Sequence, residues 1–95
     1  SSDTRGDIGA LWENYLIIER IKKNKYTDPY KSLYFWRKTT GAEVDFVEVY
    51  SERIDGYELS LKEKGNNKSK ASCLQSYSNA NWSSVHKENY KDFIL

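Results

Sequence analysis

The chain has 95 residues, enough for one compact domain and too few for two. Fifteen basic residues against fourteen acidic ones leave a net charge of +1, so no global field draws the protein onto nucleic acid or a membrane. Only 38% of the residues are apolar, and three Trp, eight Tyr and three Phe are expected to carry much of the core. The lone Cys73 cannot close an internal disulfide, and neither a secretory leader nor a long apolar run appears. A cytoplasmic protein without membrane contact is the expectation. The chain has no methionine, so it is expected to be a segment of a longer gene product.

Residues 1–6 are polar and read as a frayed end, and Asp7 can cap a helix that begins at Ile8. Ile8, Leu11, Trp12, Tyr15, Ile18 and Ile21 recur at spacings of three and four, the signature of an amphipathic helix with that stripe inward. Lys22, Lys23 and Lys25 suit a helix C-terminus, where Asn24 can take the left-handed cap. Tyr26 to Lys31, with the single Pro29, reads as loop. Leu33 to Arg37 and Glu43 to Tyr50 are runs of strand formers separated by Thr39-Thr-Gly41, a hairpin pattern. Ile54 to Leu61 alternates, with Tyr57, Leu59 and Leu61 on one side, and supplies a third strand and a second hairpin. A lysine-rich loop from Lys62 to Lys70 leads into a short helix around Ala71 to Tyr77. A short strand follows from Trp82 to His86, then a terminal helix from Glu88 to Leu95. The order α-β-β-β-α-β-α describes a single α+β, or mixed α/β, domain over residues 1–95.

A turn centred between Ser51 and Glu52 places Asp45 opposite Glu58, Val44 opposite Leu59 and Phe46 opposite Tyr57. Val44, Phe46, Tyr57 and Leu59 then share a core face, which Tyr34 and Trp36 of the first strand are expected to join. Glu43, Asp45 and Glu58 share the other. Opposed strand residues have Cβ atoms about 4.5 to 5.5 Å apart, and like charges there destabilise the sheet unless something offsets them. A divalent cation held by Asp45 and Glu58 is one way to do so, and a solvated face neutralised by Arg37 or a nearby lysine is the other. Glu13, on the first helix opposite the Leu11, Tyr15, Ile18 stripe, is expected to be half covered. Arg20, Lys23 or a metal shared with the strand carboxylates would then be its partner, and a plain surface helix Glu is the other reading.

Lys62, Lys64, Lys68 and Lys70 around Gly65-Asn-Asn67 could grip a phosphate backbone or simply be solvated. Trp12, Trp36 and Trp82 are spaced for separate core contacts rather than for a base-stacking platform. One histidine, His86, and one cysteine make no zinc set.

Gly9-Ala-Leu-Trp-Glu-Asn14, Tyr34-Phe-Trp-Arg37, Gly41-Ala-Glu-Val-Asp-Phe46, Gly56-Tyr-Glu58, Tyr77-Ser-Asn79 and Glu88-Asn-Tyr90 together resemble the C-terminal domain of a large group of bacterial and archaeal AAA-type ATPases. The resemblance runs in order from Gly9 to Ile94. It implies a parent with an N-terminal, ATP-binding P-loop module, of which no G-x-x-x-x-G-K-[ST] is present in these residues. It also implies a restriction-endonuclease-like core similar to the PD-(D/E)xK nucleases. On that pattern the catalytic set would be Glu13, Asp45 and Glu58, with Asp45 and Glu58 holding Mg²⁺ or Mn²⁺ weakly. The pattern's lysine falls at Ser60, whose hydroxyl lacks the charge and reach to activate a water. Lys62 lies about 6.6 to 6.8 Å further along. The resemblance therefore implies a degenerate, non-catalytic accessory domain that binds or regulates through the ATPase module, DNA or a protein partner. The alternatives are a metal-dependent DNA phosphodiesterase using Asp45 and Glu58, and a structural or oligomerisation module.

Overall fold

The computed structural model describes residues 4–37, 43–62 and 68–95. Helix α1 (Thr4–Thr27) opens the domain; β1 (Ser32–Arg37), β2 (Val44–Tyr50) and β3 (Arg53–Leu59) follow, then α2 (Lys68–Ser76), β4 (Ala80–Val85) and α3 (Lys91–Ile94). The expected element order is the observed one. Helix α1 starts before Ile8 and runs on through Tyr26, into the stretch expected to be loop. It stops at Thr27 because Asp28 precedes Pro29, and a residue before proline is disfavoured in the α region. The Thr27 hydroxyl donates to the Lys23 carbonyl at 2.9 Å in the last turn. Asn24 is no cap; it sits inside the helix and is buried.

The strands form one sheet in the order β1-β2-β3-β4, antiparallel except for the parallel β3–β4 pair joined through α2. Asp45 faces Glu58, Val44 faces Leu59 and Phe46 faces Tyr57, the register read from the sequence. The Ser51-Glu52 turn sets it: Tyr50 pairs with Arg53, and Ser51 adopts φ 56°, the left-handed geometry that tight hairpins need. The Thr39–Gly41 turn lies outside the described residues.

Alternation along the strands gives the sheet two faces. One carries Val44, Phe46, Glu48, Tyr57 and Leu59, and is covered by α1 and α3. Leu16, Ile17, Val44, Phe46, Leu59, Val85 and Phe93 are buried together there. Phe93 meets Phe46 and Tyr57 edge-on, with centroids 5.6 and 4.9 Å apart. The other face carries Asp45, Val47, Val49, Glu58 and Gly56, and is covered in part by α2.

Two expectations about faces are corrected. Tyr34 and Trp36 do not join the core: β1 pairs Trp36 with Asp45 and Tyr34 with Val47, which puts both on the α2 face, exposed. Leu33 and Phe35 take the core side, where Leu33 packs against the core and Phe35 stacks on Phe46 but stays exposed. The side chains of a strand alternate between the two faces, so the pairing of Trp36 with Asp45 is enough to turn Tyr34 and Trp36 away from the core.

The helix is also turned over. Leu11, Tyr15 and Ile18 are exposed, Leu11 at 69%, while Glu13, Leu16, Ile17, Arg20 and Asn24 face the sheet. Leu74 of α2 is exposed too. The reason for the turned helix lies on β2. Glu48 alternates in phase with Val44 and Phe46, so a carboxylate enters the core and needs buried donors. An unpaired buried charge costs several kcal/mol. Leu16 and Ile17 supply apolar area on the Arg20 side, so the orientation that brings Arg20 and Asn24 to Glu48 prevails.

Candidate functional site

Asp45 and Glu58 lie side by side on β2 and β3, and both are buried, at 0% and 2% exposure, not on a solvated face. Neither is free of interaction. Beside them on the same row, β1 contributes Trp36 and β4 contributes Ser84. The opposed pair is thus where the sequence placed it, and deeper.

Glu13 does not join them. It is fully buried between α1 and the opposite face of the sheet, where Arg37 Nη1 donates to its Oε1 at 2.7 Å. Arg37 pairs with Val44 and therefore extends toward α1. The partner of Glu13 is this strand arginine, not Arg20 or Lys23. The second oxygen, Oε2, is buried and accepts no hydrogen bond among the described residues. Burial pushes the Glu13 carboxyl above the usual range. The Arg37 hydrogen bond and charge pull it back only in part, and Glu43 adds repulsion.

The sheet therefore separates the three carboxylates into a pair and a single. Among the described residues no group of three or more His, Cys, Asp or Glu stands together around a common metal position. The Asp45–Glu58 pair thus stands without Glu13, the third member of the catalytic set that the nuclease pattern implies.

Ser60 is held as a structural junction. It is buried, its hydroxyl donates to the Lys62 carbonyl, and its N–H donates to the Val85 carbonyl at 3.1 Å. Its own carbonyl accepts from Trp12 Nε1 at 2.8 Å. Lys62 is exposed. The loop centred on Gly65-Asn-Asn67 lies outside the described residues, and Lys70 is exposed and engaged. His86 serves a turn: its backbone N–H donates to Asn89 Oδ1 at 2.8 Å, and its Nδ1 accepts from the Glu88 N–H at 3.2 Å.

The most complete polar cluster is one the sequence reading passed over. Arg20 Nε and Nη2 each donate to Glu48 at 2.7 Å, a bidentate pair. Asn24 Nδ2 donates to the same carboxylate at 2.7 Å, and Lys31 Nζ at 3.3 Å. Arg20 Nη1 reaches the Phe93 carbonyl at 2.8 Å, and its guanidinium lies over the Phe93 ring at 4.7 Å and the Tyr57 ring at 5.3 Å. Burial opposes the charge of both partners. The paired hydrogen bonds and mutual attraction prevail, so Arg20 is held above its ordinary pKa and Glu48 below its own. The cluster ties α1, β2 and α3 together, and its charges are saturated, so it is a fold-locking network. The sequence did carry a signal: Glu48 keeps core phase with Val44 and Phe46, and Arg20 and Asn24 are one helical turn apart.

A family profile described as a domain of unknown function, DUF4143, matches residues 8–91. The chain belongs to this family. No curated protein and no solved structure matches the chain. No helix among the described residues is long and apolar enough to cross a membrane.

Proposed function

We propose that this DUF4143 domain is a non-catalytic, nuclease-like accessory module of an AAA-type ATPase, and that it docks against the ATPase module through the outer face of α1. The observation that carries the docking is the turned helix. Ile8, Leu11, Tyr15 and Ile18 form a continuous apolar stripe that the domain leaves in solvent, although burying it would have been favourable at about 25 cal/mol per Å². Helix α1 is also the first element of the domain, the one nearest in sequence to any upstream module. The absence of catalysis is supported by the sheet between Glu13 and the Asp45–Glu58 pair, and by Ser60, locked where the nuclease pattern carries its lysine.

Two measurements test this reading. Supercoiled plasmid incubated with purified domain and Mn²⁺ should stay intact. The opposed Asp45 and Glu58 are the one feature that favours a phosphodiesterase, and nicking that disappears in Asp45→Ala would replace the proposal with that reading. The ATPase module encoded with this domain, prepared separately, should bind it, and Leu11→Asp should weaken binding at least tenfold while leaving the thermal melt in place. Equal affinity for the variant would remove the docking surface.

A further inference from the structure

On the face of the sheet away from α1, a cleft of about 620 Å³ opens between the strands and α2. Its floor is aliphatic, from Val47 and Ile54; Trp36 and Trp82 form the sides; Cys73 and Tyr77 close it from α2 and the turn after it. No lysine, arginine or carboxylate is among its lining residues. The size and apolar character are those of a small-molecule site, for which roughly 300 to 1,000 Å³ is usual.

Two details give the cleft a chemistry. Gly56 pairs with Trp82 across the β3–β4 ladder, and a Cβ at Gly56 would stand 2.2 Å from the Trp82 ring. The six-membered ring of the indole therefore occupies the space that a side chain on β3 would take. Glycine inside a strand weakens it and often marks such a close approach. The second detail is Trp82 Nε1, which is buried and donates to nothing among the described residues. Buried indole N–H groups ordinarily have an acceptor. Trp12 Nε1 has one, the Ser60 carbonyl.

We propose that this cleft binds a neutral, flat heteroaromatic molecule whose hydrogen-bond acceptor pairs with Trp82 Nε1. The uncharged lining suits a neutral ring, the two lining indoles suit an aromatic, planar one, and the unmatched donor calls for an acceptor. Because the N–H is covered from water, the acceptor reaches it only through a local rearrangement of the cleft wall. The proposal is independent of the docking surface on α1.

Quinoline and naphthalene make the test, since they match in shape and only quinoline has an in-plane acceptor. The three tryptophans give three indole N–H signals in a ¹⁵N-labelled sample, and Trp82→Phe identifies the relevant one. Titration with quinoline should shift the Trp82 signal more than those of Trp12 and Trp36, with affinity at least about fivefold above that for naphthalene, the worth of one ordinary hydrogen bond. Trp82→Phe, which keeps a ring but loses the donor, should abolish the preference. Equal affinity for the two probes, binding of neither, or a preference that survives in Trp82→Phe would each overturn the proposal. The probe comparison on the unaltered protein decides it even if the variant fails to fold.

Discussion

Arg20 offers the sharpest test of how this fold is held. Glu48 is 1% exposed and accepts four hydrogen bonds, two of them from Arg20. Arg20→Met leaves the carboxylate buried with Asn24 and Lys31 alone, and it also strips the Phe93 carbonyl of its donor. Breaking a buried ion pair on one side costs about 3 to 5 kcal/mol. A domain of this length has roughly 5 to 14 kcal/mol in total. With a urea m-value of about 1.3 kcal/mol/M, the midpoint should fall by roughly 2.3 to 3.8 M. Urea melts followed by tryptophan fluorescence and far-UV circular dichroism read this directly. The double variant Arg20→Met with Glu48→Leu removes both charges and should recover at least half of the loss, because an apolar pair of similar volume often replaces a buried ion pair without penalty. A loss below about 1 kcal/mol in Arg20→Met, or a double variant worse than either single one, would refute this account.

Other outcomes follow from the same geometry. Glu48 has a depressed pKa in the folded state, so its stabilisation is present above the unfolded value near 4.5 and is lost as pH falls through the folded one; Glu48→Gln should flatten that acid limb in urea melts. Glu13 is displaced upward, so the native state holds its proton more tightly and the benefit disappears as pH rises through the folded value; Glu13→Gln should compare best with the unaltered protein at pH 7 and less well toward pH 4.5. Leu16→Ala should cost about 2 to 5 kcal/mol and Leu11→Ala within about 0.5 kcal/mol in the isolated domain, and thermal melts giving the reverse order would mean that α1 packs the other way round. Ser60→Lys, into a buried site with every Ser60 polar group engaged, should lose about 1 to 3 kcal/mol by denaturant titration without conferring plasmid nicking.

Much of this architecture was legible in the residues themselves. The Ser51-Glu52 turn and the alternation on either side of it determine the β2–β3 register, because a two-residue connection leaves no freedom to slide. The opposition of Asp45 and Glu58 follows from that alone. The order of elements follows from punctuation, with Pro29 ending α1 and changes of period separating helix from strand. Tertiary structure decided which faces look inward. Periodicity shows that a helix has sides, and α1 has two credible ones: the Ile8, Leu11, Tyr15, Ile18 stripe and the arc from Glu13 through Leu16, Ile17 and Arg20 to Asn24. Hydrophobicity favours the first, whereas the structure selects the second, since a core strand brings in Glu48 and a buried carboxylate needs donors that only that arc carries. The Ser51-Glu52 turn likewise does not reach β1, so the side taken by Trp36 and Tyr34 is decided by the β1–β2 pairing itself. The separation of Glu13 from Asp45 and Glu58 follows from both choices: local sequence made all three carboxylates available, and the packing of α1 against one face of the sheet put the sheet itself between them.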